Sequence, residues 1–475
     1  MRLVAAITVS VGAVAVAGSQ LASAGDWTRF GYDAARHNAA SSTGGITAAN
    51  LGRLRLRQVR LDGTVDSSPI YLAHALVRGT RRDVFVVTTT YGKSLAVDAR
   101  TGRILWRYVP SGYKRVVRSA QITTATPVAD PSRRYIYAAS PDGLVRKLAV
   151  ANGREVRTGA WPVSVTRDAT HEKLASAFNF SRGLVLVTTG GYFGDAPPYQ
   201  GHVVAIRATT GAIVSIFNSL CSDRRTVLVP SSCSASDSAI WARSGAVVDP
   251  ETGNLLVATG NGPWNGSTNW GDSVLELSPD ASRLLQNWTP TNQRELEASD
   301  ADLGSTAPAL LGGGLALQSG KDGKLRLLDI HRLNAKTTTP GTITGGELQT
   351  LPAPGGGGVF TAPAVWRSGG TTWAFVTTFD ATGAYKLVGR RLVNVWQNKT
   401  GGTSPVVVGG LLFVYDPNGG LNVYRPGSQK PIATLTAGAG HWNSPIVADG
   451  RIALPEGDAN DHRTDGILDI WSLPR

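Results

Sequence analysis

Methionine occurs once and cysteine twice in these 475 residues, and only 17 % are Asp, Glu, Lys or Arg. So little charge beside 42 % hydrophobic residues excludes a disordered chain, which cannot bury enough apolar surface to offset its conformational entropy. Long polar stretches of the helix formers Glu, Lys and Gln are missing, which argues against a helical fold. Past the first residues there is no apolar run of about 18 residues, so no membrane span is expected. P-loop, nucleophile-elbow and HExxH patterns are absent as well, removing the commonest nucleotide, esterase and zinc-protease readings. Glycine, by contrast, occurs 56 times. That abundance belongs to a chain of many tight turns, and an all-β fold is expected.

The first residues, MRLVAAITVSVGAVAVAGSQLASAGDW, carry a positive Arg2, an apolar run from Leu3 to about Ala17, and the small-residue site Ala22-Ser23-Ala24. This is the pattern of a secretory signal peptide over residues 1–24. The mature chain, 25–475, is expected to be one domain, secreted or periplasmic. In such a compartment two closely spaced cysteines pair, so a Cys221–Cys233 disulfide is expected. The formal net charge is +13. Arg53, Arg55 and Arg57 alternate with Leu54 and Leu56 as one polar strand face, without a nucleic-acid motif. A solvated basic face accounts for them, and no nucleic-acid partner is expected.

A recurring unit emerges when strand ends are aligned. Each opens on a small pair, often Ser-Pro or Ala-Pro, runs into a β-branched strand, and closes after further strands. Its anchors lie near Pro69, Pro127, Ala177, Gly245, Pro308, Pro363, Pro405 and Pro445. Eight such units, each able to hold four short strands, point to an eight-bladed β-propeller of four-stranded antiparallel blades, with the count good to within one. The last unit lacks an outer strand, and RLRLRQVRL near residue 53 can supply it from the other end of the chain.

LAVDARTGRILW is the clearest unit. Asp98 and Thr101-Gly102 suit a turn with a left-handed Gly, and Trp106 ends a strand where it can dock on the next blade. This segment resembles the tryptophan-docking repeat of the quinoprotein (pyrroloquinoline quinone-dependent) alcohol dehydrogenases. DWTRFGYDAARHNAA, ITAANLGRL and DGTVDSSP are similar to that family's N-terminal segment. The resemblance implies an axial site holding the quinone and Ca²⁺, and oxidation of an alcohol or sugar.

Site residues follow from the same resemblance. VATGNGPWNG is similar to the family's metal-binding stretch, making Asn261 a candidate ligand of metal and cofactor. SDADLGSTAPALL stands where the catalytic Asp belongs, so Asp300 or Asp302 is the candidate base, with Asp300 also a candidate metal ligand. Lys321 in SGKDGK is placed to face the quinone oxygens, and Trp241 in AIWARSG to stack beneath the ring. The chain departs from the family pattern after Thr188-Thr189-Gly190, where a Glu ligand is expected. GYFGDAPPYQG offers Tyr192 and, as a displaced carboxylate, Asp195. Adjacent capping cysteines and a Cys-x-x-Cys-His haem segment are also absent, so electrons would pass to a separate acceptor. Asp458–Gly466 carries oxygen ligands at alternate positions without the closing Glu of an EF-hand. Two readings stand: a quinone- and Ca²⁺-dependent oxidoreductase, or a catalytically silent propeller binding a protein, glycan or polymer through its loops.

Overall fold

The computed structural model describes residues 25–333, 340–341 and 343–474; the signal-like segment 1–24 lies outside them. Eight blades, each a four-stranded antiparallel sheet, follow one another around a central axis, and in blade 7 the short Ala39–Ala40 adds a fifth strand parallel to Val406–Val408. Blade 1 comprises Ile70–Val77, Thr80–Thr88, Ser94–Asp98 and Ile104–Tyr108, and blade 2 Val128–Ala129, Tyr135–Ser140, Leu144–Ala149 and Val163–Ser164. Blade 3 runs from Asn179–Ser181 to Ile213–Asn218, blade 4 from Val247–Val248 to Leu284–Trp288, and blade 5 from Ala309–Gly312 to Gln349–Pro352. Blade 6 runs from Ala364–Ser368 to Arg391–Asn398 and blade 7 from Val406–Val408 to Pro431–Leu435. Blade 8 is closed by the other end of the chain: Arg55–Leu61 pairs antiparallel with Gly466–Ser472. The sheet edge that an eighth sequential unit would leave open is thereby removed.

Second strands are buried on both faces because each blade packs between two neighbours. Val84 to Thr88 are buried at every position, whereas the outer strand Arg391–Asn398 buries only Leu392 and Trp396. The repeat turn forms as its residues require. Asp98 Oδ1 accepts the N–H groups of Arg100 and Thr101 at 3.1 and 2.8 Å, and Gly102 takes φ +73°. Trp106 then crosses to blade 2, its indole N–H donating to Val150 O at 2.8 Å. Trp396 repeats the arrangement between blades 6 and 7, donating to Pro426 O at 2.8 Å.

The small hydroxylic residues at each unit's start have a second task. They bond from blade to blade around the axis: Ser68 Oγ to Ser444 O, Thr124 Oγ1 to Ala175 O, Ser305 Oγ to Val359 O. At the opposite end, residues 27–43 thread across the propeller. Their backbone pairs with Tyr71, Ala129, Val248, Val365, Val407 and Gly450 in turn, reaching blades 1, 2, 4, 6, 7 and 8. Arg29 adds blade 3 through Asn179 Oδ1 and Phe180 O. This end of the axis is closed by the chain's own N-terminal segment, so the loops at the other end form its open face.

Cys221 and Cys233 form a disulfide with Cα atoms 6.1 Å apart, tying the loop that follows blade 3. Replacing both with Ser is expected to cost about 3 kcal/mol through the freed loop entropy of the unfolded chain. The check is a lower urea midpoint at unchanged m-value.

Candidate functional site

Five of the residues singled out in the sequence, Trp241, Asn261, Asp300, Asp302 and Lys321, meet on the open face. Trp241 lies on the segment leading into blade 4, and Asn261 lies in the loop after that blade's second strand, Leu255–Ala258. Asp300 and Asp302 follow the short helix Gln293–Ala298, and Lys321 follows the second strand of blade 5, Leu315–Ser319. Corresponding positions of adjacent blades thus bring distant sequence together. Asp302 Oδ1 accepts the Asn261 N–H at 2.5 Å, and its Oδ2 lies 2.7 Å from Lys321 Nζ. The same ammonium lies 2.8 Å from Asp300 Oδ1 and 5.7 Å from the centre of the Trp241 ring, within cation–π reach. Gly260 permits this approach: a Cβ there would collide with Asp302 Oδ1 and stand 3.4 Å from Trp241 Nε1.

Asp302 is buried, Asp300 exposed. Burial pushes the Asp302 carboxyl above its ordinary value although Lys321 pulls it down. A buried carboxylate with raised basicity, held by a lysine and a backbone amide, can accept a proton from a hydroxyl group. Behind it stands Asp272, which the sequence analysis does not single out. Its Oδ1 accepts the Leu303 N–H at 3.0 Å, while Oδ2 is buried without a donor. Burial, the largest cause, pushes this carboxyl up to about 8, so it is a neutral acid at pH 7.

The folded chain therefore keeps a proton on Asp272 that an unfolded chain has released above about pH 4. Its contribution to stability is full below the unfolded value and is lost as pH rises through 8. Asp272→Asn removes this slope. The expected result is a gain in melting temperature at pH 8.5 that exceeds the gain at pH 5.

Asp195 is not drawn into the cluster. It sits on the exposed loop of blade 3, where its Oδ1 accepts the Tyr199 hydroxyl at 3.0 Å, beside Phe193, which is 94 % exposed. A hard divalent cation needs several free oxygen donors. Here Asp302 has one oxygen on an amide and the other on an ammonium, and Asp300 shares that ammonium. The residues present do not fit a metal ion at Asn261. Among the described residues, one group of His, Asp and Glu donors lies close enough for a metal: Asp66, His441 and Asp458. Asp66 is already committed, its Oδ2 accepting from His441 Nδ1 at 2.8 Å and from Ala459 N at 3.2 Å, and its Oδ1 from Trp442 N at 2.8 Å. These bonds fix Trp442.

Trp442 belongs to an aromatic arc that the sequence reading missed, because its members come from the entrances of blades 4, 6 and 8 and from the loop after blade 6's second strand. Phe360 lies 6.2 Å from Trp241 and 5.6 Å from Trp442, and Phe379 packs on both Phe360 and Trp442. Two cations, Arg243 and Lys173, lie within reach of the Asp66 charge. Arg243 is buried and donates to Asp66 O and Thr124 O at 3.0 and 3.2 Å. Lys173 pairs its backbone with Gly190, the end of the Thr188-Thr189-Gly190 stretch, and Gly190 lies against Trp241.

The sequence profile of a family described as outer membrane protein assembly factor BamB matches residues 11–248, half of the chain. The chain belongs to this family of PQQ-repeat β-propellers. The quinone-dependent alcohol dehydrogenase subunit of Gluconobacter oxydans is 25 % identical over 317 residues, 57 % of this chain and 38 % of that protein. Quinohemoprotein alcohol dehydrogenase ADH IIB of Pseudomonas putida is 24 % identical over 365 residues, 70 % of this chain and 49 % of that one. This PQQ-repeat propeller thus spans less than half the length of these relatives. In fold it superposes on the quinohemoprotein alcohol dehydrogenase of Comamonas testosteroni with a TM-score of 0.67 at 16 % identity, over 94 % of this chain and 80 % of that one. Among the described residues no helix is long and apolar enough to cross a membrane.

Proposed function

We propose that this PQQ-repeat propeller is an exported oxidoreductase that holds a planar, anionic quinone on its axis and oxidises an alcohol or sugar. The observation that carries the reading is the meeting of Trp241, Asp302 and Lys321, from three separate stretches of chain, at the open end of a propeller closed at its other end. A ring stacked on Trp241 would present its oxygens to Lys321, and the aromatic arc of Phe360 and Trp442 would exclude water from its edge. A bound quinone supplies two-electron acceptance. Asp302 takes the hydroxyl proton, and Lys321 keeps its carboxylate oriented while compensating the charge. Asn261 acts through its backbone N–H on Asp302. The names of the relatives support the chemistry, and the disulfide supports export of residues 25–475 after removal of 1–24. In this reading a separate acceptor takes the electrons.

The test is dye reduction by protein incubated with pyrroloquinoline quinone, with and without Ca²⁺, across a panel of alcohols and sugars. Saturable reduction of the dye, with a rise in melting temperature from the bound quinone, is expected. No reduction and no thermal shift would remove the enzyme reading and leave a silent propeller that binds a protein or glycan through its loops.

A further inference from the structure

The charge of the chain is gathered in one stretch. Residues 53–157 contain 20 Lys and Arg against seven Asp and Glu, and the rest of the sequence contains 27 of each. The whole formal charge of +13 therefore belongs to the outer strand of blade 8, to blade 1 and to the first three strands of blade 2, three neighbours around the axis. Folding sharpens the imbalance. Fifteen of the 20 cations are exposed and none of the seven acids is. Among the described residues, two of the fifteen have a carboxylate partner: Arg107 pairs with Asp62 and Arg157 with Glu155.

The acids of this sector are engaged within the blades. Asp98 holds the repeat turn and Arg82, Asp130 accepts the backbone N–H groups of Arg134 and Tyr135, and Asp142 and Glu155 share the buried Arg146. Two grooves lie among the exposed cations. One, of about 690 Å³, separates the first hairpins of blades 1 and 2 and is lined by His74, Arg81, Ser132, Arg133 and Arg134. Arg81 is steadied by His74 O at 3.2 Å and Arg133 by Ala73 O at 2.6 Å, while the Arg134 guanidinium lies 5.7 Å from the centre of the Tyr135 ring. The other, of about 400 Å³, runs between the outer strands of blades 8 and 1 and is lined by Arg57, Arg60, Arg103 and Arg107. Among the described residues no Asp or Glu lines either groove. The first groove sits at the end of the axis closed by the N-terminal segment, where Asp26 lies 3.2 Å from Arg133. It is thus on the far side of the molecule from Trp241, Asp302 and Lys321.

We infer that blades 8, 1 and 2 form a binding surface for a linear polyanion carrying repeated phosphate groups, laid across the two grooves. The inference goes beyond the quinone reading and does not depend on it. Side-chain chemistry selects the phosphate: 17 of the 20 cations are Arg, whose planar fork donates two parallel hydrogen bonds to such a group where Lys offers a point charge. Exposed charge of one sign draws a polyanion in, and counterions released on contact drive the binding. Recess favours a flexible strand over a flat surface. Guanidinium groups lining grooves between blades that fan around an axis can each meet a phosphate of a chain, whereas a bilayer reaches only the outermost tips. Arg53, Arg55 and Arg57, a solvated face by their alternation in the sequence, form one edge of this surface.

The experiment titrates long-chain inorganic polyphosphate, and separately phosphatidylglycerol vesicles, into the full-length protein, read by calorimetry and co-sedimentation. Polyphosphate is expected to bind saturably and to lose at least tenfold in affinity between about 50 and 200 mM salt, as counterion release at several phosphates requires. Arg81→Gln with Arg134→Gln, and Arg57→Gln with Arg103→Gln, one pair from each groove, should each weaken it at least tenfold. Arg283→Gln with Arg391→Gln removes the same charge from exposed positions on blades 4 and 6 and should stay within about twofold. The melting temperature of each variant reports that it is folded. Absence of saturable polyphosphate binding would overturn the inference. An equal loss in the Arg283 and Arg391 pair would overturn it too, by reducing the effect to net charge. Tighter binding to vesicles than to polyphosphate would replace it with a membrane contact.

Discussion

Asp302→Asn is expected to reduce turnover of the quinone-loaded protein at least a hundredfold while the chain stays folded. The amide keeps the size of the side chain and an acceptor for the Asn261 N–H, which the carboxylate holds at 2.5 Å, but it cannot take a proton. General-base removal of this kind costs roughly 10²–10⁴ in rate. Quinone affinity should change little, because the stacking Trp241 ring is untouched. Asp302→Ala goes further. It leaves the Asn261 N–H without its acceptor and Lys321 with the exposed Asp300 alone, so a stability loss of about 3 kcal/mol is expected from the broken buried pair. A pH profile separates the two roles: activity in the wild type should rise with ionisation of Asp302, at a pH above that of an ordinary carboxyl, and the Asn variant should show no such limb. Undiminished turnover in Asp302→Asn would assign the base elsewhere.

Arg36→Met is expected to destabilise the fold by more than about 4 kcal/mol. The buried Arg36 guanidinium donates to Phe30 O at 2.5 Å, Phe178 O at 2.9 Å, Ser244 O at 3.0 Å and Ala177 O at 3.2 Å. It joins the N-terminal segment to the entrances of blades 3 and 4. Each buried carbonyl left without a donor costs about 1–3 kcal/mol, and methionine offers none. Because that segment also pairs with five further blades, the loss should appear as a lower midpoint of the whole unfolding transition. A change under about 1 kcal/mol would show that the segment closes the axis without holding it.

The propeller was legible because its unit is local. A turn needing Asp98 and Gly102, a strand buried on both faces and a docking Trp106 lie within a few residues of one another. The closure of blade 8 by Arg55–Leu61 could be read because one unit lacked a strand and the other terminus had one to spare. The path of residues 27–43 across the axis was hidden, since Arg36 bonds to backbone carbonyls that leave no mark on residue type. In the site, the Trp241, Asp302 and Lys321 stretches carry recognisable local patterns, and the structure brings them together. Phe360 and Phe379 come from two loops of blade 6 and Trp442 from the entrance of blade 8, with no shared spacing.

The most direct measurement of the central claim is the binding isotherm of pyrroloquinoline quinone to the metal-free protein and to Trp241→Ala. One equivalent should bind to the wild type with saturable quenching of tryptophan fluorescence, and Trp241→Ala should weaken it at least tenfold at unchanged secondary structure. Absence of saturable binding to the folded wild type, or equal affinity in Trp241→Ala, would contradict an axial quinone site.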